Sequence, residues 1–167
     1  MRIRIRGLGR LALLGVVLVL VNALGTVVPA AAASGSDLRT RVNENKCADI
    51  YKFDNSNGAK VVIWDCNGLA NQKWIGVGHG EIRSIWNNKC LTFVRDVGRD
   101  SGRVLMFDCT GDINQLWTGS DTEEVLCPKA LPRSCLILAG GITSNGWTIT
   151  TWPRDYPPKL VHRWYFA

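Results

Sequence analysis

Residues 47–74 and 90–117 are two copies of one unit, and this repeat restricts the fold more than any other feature of the 167-residue chain. The first copy reads CADIYKFDNSNGAKVVIWDCNGLANQKW and the second CLTFVRDVGRDSGRVLMFDCTGDINQLW. Cys47 and Cys90, Asp65 and Asp108, Cys66 and Cys109, Asn71 and Asn114, Gln72 and Gln115, and Trp74 and Trp117 all lie 43 residues apart, with no gap. A period of this length marks one supersecondary unit that buries its apolar face against its siblings. A degraded third copy begins at Cys135-Leu136-Ile137-Leu138, continues through WTITTW at 147–152 and ends at His162-Arg163-Trp164. Its Cys follows Cys90 by 45 residues and its last Trp follows Trp117 by 47, so it has grown, mainly around PRDYPP at 153–158.

Within a copy the residues predict short strands. VVIWD at 61–65 and VLMFD at 104–108 are rich in β-branched, aliphatic and aromatic side chains, and NSNG or RDSG leads into each. Residues after 34 sustain no helical period for ten residues, so the expectation is an all-β domain with about four strands per copy, the copies spanning about 38–80, 81–120 and 121–167. GVGHG at 76–80 then reads as the turn joining copies one and two. Six cysteines allow 15 complete pairings. The identical 19-residue spacing favours Cys47–Cys66 and Cys90–Cys109, which leaves Cys127–Cys135 as a local third bridge. Trp74, Trp117 and Trp164 recur at one place in each copy, as a repeated core ring does.

The N-terminus has a different character. Arg2, Arg4, Arg6 and Arg10 precede or edge an apolar run from Leu11 to Val28, followed by Pro29 and alanines. That is the layout of a signal peptide over residues 1–33, with a membrane anchor over 11–28 as the competing reading. Cleavage after Ala33 leaves residues 34–167 as the domain, with 16 basic and 14 acidic side chains, so the net charge of +6 falls to +2. A nucleic-acid partner then loses its electrostatic support. The expected product is secreted, extracellular, monomeric and free of the membrane, in an oxidising setting that suits disulfides.

The pattern C-x-D…G…V-x-x-W-D-C-x-G…N-Q-x-W, with QKW at Gln72–Trp74 and QLW at Gln115–Trp117, resembles the ricin-type lectin repeat. The resemblance covers about residues 37–167 and extends to carbohydrate-binding module family 13. It implies a β-trefoil of twelve strands, a shallow sugar pocket available on each lobe, no catalytic activity and no cofactor. It also assigns the sugar site of copy one to Asp49, Trp64 and Asn71, with Gln72 in support. The chemistry agrees: an indole face stacks on pyranose C–H groups, a carboxylate accepts hydroxyl hydrogens, and an amide both donates and accepts. Copy two keeps Phe107, Asn114 and Gln115 but has Thr92 in place of the aspartate, which implies a weak second site. Copy three has Ile137 at the aspartate position, Thr150 at the aromatic position, Val161 for Asn and His162 for Gln, and reads as structural.

The implied partner is a galactose- or xylose-type glycan. The alternative is a trefoil that binds a protein, for instance as an inhibitor, through LCPKALPRSC (126–135) or TTWPRDYPPKL (150–160). An enzyme finds little support: His79 and His162 are the only histidines, and HExxH and GxSxG are both missing. No CxxC pattern or paired-histidine spacing points to a metal.

Overall fold

The computed structural model describes residues 34–120, 122–157 and 159–167; the expected leader over residues 1–33 lies outside them. Each copy of the repeat forms one lobe of four strands. Lobe one comprises β1 (Ser36–Thr40), β2 (Asn43–Ile50), β3 (Ala59–Asp65) and β4 (Lys73–Val77). Lobe two comprises β5 (Glu81–Ser84), β6 (Cys90–Arg95), β7 (Gly102–Phe107) and β8 (Trp117–Ser120). Lobe three comprises β9 (Val125–Pro128), β10 (Ser134–Leu138), β11 (Trp147–Pro153) and β12 (Trp164–Phe166).

The first and fourth strands of the lobes form a closed ring. β1 pairs with β4, β4 with β5, β8 with β9 and β12 with β1. A Glu81–Leu116 bridge joins β5 to the start of β8, and the Trp164 amide donates to Glu124 O (2.6 Å) between β9 and β12. Closure turns the edges of the ring strands toward one another. The second and third strands form three hairpins whose third strands pair with one another: Ala59 faces Met106, Gly102 faces Thr151 and Ile63 faces Trp147. This threefold barrel with a hairpin cap is a β-trefoil.

Trp74, Trp117 and Trp164, on the fourth strands, are 1%, 3% and 2% exposed and belong to a single core cluster. A buried indole needs a partner for its N–H. Trp74 donates to Ala48 O (3.1 Å) and Trp117 to Leu91 O (2.8 Å), two carbonyls at equivalent places in their lobes, whereas Trp164 Nε1 is buried with no acceptor. The third lobe thus keeps the ring of the repeat and loses its hydrogen bond.

Three disulfides form. Cys47 on β2 joins Cys66 beyond β3, and Cys90 on β6 joins Cys109 beyond β7, each with a Cα separation of 5.1 Å. Cys135 holds the corresponding place on β10 but bonds back to Cys127 on β9, with a Cα separation of 4.0 Å. The segment after β11 is therefore free of a disulfide tether, and that is where the third copy has grown.

Strand register corrects one sequence assignment. Cys47 lies opposite Trp64, Cys90 opposite Phe107 and Cys135 opposite Trp152. The aromatic position of lobe three is thus Trp152, and Thr150 lies opposite Ile137, as Val62 lies opposite Asp49. β10 and β11 pair without a slip over five residues, so the inserted residues fall after the strand and the cysteine-to-aromatic spacing survives.

Candidate functional site

β2 and β3 carry Asp49 and Trp64 into a shallow cavity of about 230 Å³ on lobe one, shared with Tyr51, Lys52, Phe53, Asn67 and Asn71. Asp49 is only 4% exposed. Its Oδ2 accepts from Asn71 Nδ2 (2.9 Å) and Gln72 Nε2 (2.8 Å), while no donor among the described residues meets Oδ1. One oxygen is held by two amides and the other keeps its acceptor capacity, which is how a carboxylate is fixed in direction while remaining able to bind. Burial pushes the Asp49 carboxyl above the ordinary value of 3.8, against the opposing pull of Gln72 and Asn71.

Gln72 does more than steer Asp49. Its Nε2 also donates to Asp65 O (2.9 Å) and its Oε1 accepts from the Asn67 amide (2.9 Å), which clamps the chain around Cys66. Asn71 Nδ2 also donates to Ile50 O (3.2 Å), and its Oδ1 is buried without a protein donor. The half-buried Trp64 ring lies 6.1 Å from that of Tyr51, inclined at 47°. Lys52 Nζ stands 5.2 Å from the Tyr51 centroid, within cation–π range.

One wall of this cavity is a single 3₁₀ turn over Tyr51–Phe53, and it is strained. Lys52 and Phe53 have φ of 55° and 54°, a conformation that costs a non-glycine residue ~1–3 kcal/mol and tends to persist at functional sites. Lobe three makes the same turn over Ala139–Gly141 with Gly140 and Gly141, φ 64° and 68°, which take it without strain. Lobe two makes no such turn: β6 runs on through Arg95, which pairs with Gly102.

Lobe two repeats the clamp without the carboxylate. Gln115 Nε2 donates to Thr92 Oγ1 (3.1 Å) and Asp108 O (2.9 Å), and its Oε1 accepts from the Thr110 amide (2.7 Å). Thr92 Oγ1 donates its own hydrogen to Cys90 O (2.9 Å). Phe107, Asn114 and Gln115 line a cavity of about 330 Å³ with Thr92, Val94 and Asp108.

Lobe three brings none of the polar set together. Ile137 and Val161 are buried, and His162 Nε2 lies 3.2 Å from Tyr156 O. His162 thus holds the chain at Tyr156, in the enlarged part of lobe three, from the position that Gln72 and Gln115 occupy in theirs. Burial holds its imidazole below the usual value of 6.5, the neutral ring donates through Nε2, and its buried Nδ1 is unpartnered.

All four sequence-assigned residues of copy one meet at one place, as do Phe107, Asn114 and Gln115 of copy two. Tyr51, Lys52, Phe53 and Asn67 escaped the sequence reading. Gly140-Gly141, standing in copy three where copy one has Lys52-Phe53, was the available signal of a left-handed turn. Among the described residues no group of three or more His, Cys, Asp or Glu side chains could hold a metal, and no helix is long and apolar enough to cross a membrane.

The closed ring, hairpin cap and disulfide-tied repeats define a β-trefoil of the lectin type. Residues 35–160 match the family model of the ricin-type β-trefoil lectin domain, and the chain belongs to that family of non-catalytic, carbohydrate-binding domains. Solved structures share the fold. A designed threefold-symmetric protein, ThreeFoil, is similar at TM-score 0.69 and 21% identity, over 79% of this chain and 96% of its own. The C-half of an earthworm R-type lectin, in complex with GalNAc, is similar at TM-score 0.67 and 16% identity over 80% and 98%. The Vibrio vulnificus hemolysin/cytolysin β-trefoil lectin, with N-acetyl-D-lactosamine bound, is similar at TM-score 0.62 and 20% identity over 80% and 93%. No curated protein matches the chain.

Proposed function

We propose that the protein is an exported carbohydrate-binding domain with one principal sugar site, formed in lobe one by Asp49, Trp64 and Asn71 and supported by Gln72. The observation that carries this reading is the Asp49 carboxylate, in one cavity with Trp64, buried and fixed through one oxygen by two amide donors while its other oxygen meets no donor among the described residues. A sugar ring stacks its C–H face on Trp64 and donates a hydroxyl to Asp49 Oδ1. A hydrogen bond to a charged acceptor is worth ~1.5–3 kcal/mol, so the carboxylate dominates the polar recognition. Lobe two adds weak binding through Phe107 and Asn114.

A galactose-type glycan is the first candidate, supported by the sugars bound to the earthworm and Vibrio lectins; a xylose-type glycan is the second. The basic, apolar and small-residue order of residues 1–33 and the three disulfides support export. A glycan array followed by calorimetric titration with N-acetyl-D-lactosamine and xylotriose tests the sugar reading. Saturable binding that Asp49→Asn and Trp64→Ala each weaken supports it; a silent array, or affinity unchanged in both variants, overturns it. N-terminal sequencing of protein from the culture medium tests export, with Ser34 as the expected first residue.

A further inference from the structure

Two hairpin tips reach across lobe boundaries and grip the neighbouring lobe's aromatic platform from both sides. In lobe three, Gly146 N donates to Ile63 O (2.8 Å), and Asn145 Oδ1 accepts from the Asp65 amide (2.9 Å). These are the backbone groups immediately before and after Trp64. Asn145 Nδ2 donates to Asp65 Oδ2 (2.7 Å), Lys46 Nζ donates to Asn145 Oδ1 (2.8 Å), and Lys46 pairs with Asp65 Oδ1 (2.6 Å). Gly146, at φ 85°, lies so near the Trp64 ring that a Cβ there would touch Cζ3 at 3.7 Å.

Lobe one does the same for lobe two. Gly58 N donates to Met106 O (2.7 Å) and Asn57 Oδ1 accepts from the Asp108 amide (2.9 Å), either side of Phe107. Asn57 Nδ2 donates to Asp108 Oδ2 (2.8 Å) and Lys89 Nζ to Asn57 Oδ1 (3.0 Å). The third junction has lost the device. Pro153 follows Trp152 and carries no N–H, and Asp100, at the asparagine's place in lobe two, pairs with Arg95 (3.0 Å).

We infer that Asn145 is a positioning residue for the lobe-one sugar site, so that lobe three, without a polar sugar set of its own, sets the orientation of Trp64 next door. The inference rests on the sugar reading of lobe one. It touches no sugar; it fixes the strand segment and ring edge against which a sugar stacks. Hydrogen bonds from Lys46 and Asn145 hold the Asp65 carboxyl below the usual aspartate value, in keeping with a formed clasp.

The two clasps supply their own control, because Asn57→Ala deletes the same bonds at the other platform. Calorimetric titration with N-acetyl-D-lactosamine, and in parallel with xylotriose, is expected to show Asn145→Ala weakening lobe-one binding about fivefold, while Asn57→Ala lowers the melting temperature comparably but leaves that affinity within twofold. Asn145→Asp sets a carboxylate against Asp65 and weakens binding at least as much; adding Asp65→Asn exchanges donor and acceptor and restores it. A ¹⁹F spectrum of protein labelled with 5-fluorotryptophan, the Trp64 line assigned through Trp64→Phe, is expected to move at Trp64 in Asn145→Ala and not in Asn57→Ala.

Equal affinities in the two alanine variants, or an unmoved Trp64 line, overturn the positioning role. If the wild type binds neither sugar, the sugar reading fails instead, and the ¹⁹F comparison still decides whether Asn145 orients Trp64. Should Asn145→Ala fail to fold, the Asn145→Asp and Asp65→Asn pair carries the same comparison.

Discussion

Lobes one and two share almost every scaffold feature and differ at the points where a ligand would be met. Both tie β2-type and third-strand ends with a disulfide of the same span, both bury a Trp whose indole donates to an equivalent carbonyl, and both clamp the loop with a glutamine. The contrast lies in Asp49 against Thr92 and in the hairpin turn. Asp49 commits one oxygen to the scaffold and keeps the other; Thr92 receives Gln115 and gives its only hydrogen to Cys90 O. Lobe one also kinks through left-handed Lys52 and Phe53, where lobe two stays paired as strand. The two copies thus share one duplicated frame, while one carboxylate and one strained turn separate the proposed site of lobe one from its counterpart in lobe two.

The largest expected effect tests the shared frame. Trp74→Ala and Trp117→Ala should each cost ~3–5 kcal/mol of unfolding free energy. Trp164→Ala should cost less, by the ~1 kcal/mol of a hydrogen bond that it does not make. Denaturant titration checks both; unequal losses for Trp74 and Trp117 would break the equivalence of the first two lobes.

Next comes the site itself. Asp49→Asn keeps the shape and should lower sugar affinity by ~1.5–3 kcal/mol, whereas Thr92→Val should leave the principal affinity unchanged. Calorimetry distinguishes them, and a comparable loss from Thr92→Val would move the site to lobe two. The reverse exchange, Thr92→Asp, gives Gln115 a carboxylate to hold and should strengthen lobe two by about 1 kcal/mol or less, because the straight β6–β7 hairpin offers Val94 where lobe one offers its kinked turn. A second stoichiometric site of lobe-one strength in that variant would show that the turn is dispensable.

The smallest effects are in pH. Asp49 has a folded value above 3.8, so its binding-competent form is lost on acidification before that of an ordinary aspartate. Its stability contribution has the opposite sign: the protein loses stability as pH rises from 3.8 through the folded value, and regains it on protonation. Sugar affinity and the Asp49 share of stability should therefore diverge in that window, and Asp49→Asn should remove both slopes. His162 has a folded value below 6.5, so its share of stability is complete above 6.5 and declines as pH falls from there toward the folded value. His162→Gln, which installs the residue of the other lobes, should flatten that decline in melting curves.

Much of this was legible in the chain because it lies in short spacings. The repeat of 43 residues carries the strand count, Trp74 and Trp117, and the two equivalent cysteine pairs, since each is a fixed offset within or between the first two copies. Subtracting copy two from copy one isolates Asp49, and the NQ pair identifies the amides that hold it. Trp152 was also within reach, as it keeps the 17-residue distance from Cys135 that separates Cys47 from Trp64, but copy three has Arg154 where Cys66 and Cys109 mark the position in the other copies, and strand pairing settled the register. Three matters were decided only by the tertiary structure. Gly140-Gly141 in copy three hints at a left-handed turn, but that Lys52 and Phe53 take it too was settled by the structure, because tertiary packing outweighs local preference there. The Trp164 indole N–H is buried without an acceptor, which no residue identity records. Asn145 meets Asp65 across 80 residues of sequence, a contact that exists only because the hairpin cap places the tip of one lobe beside the platform of the next.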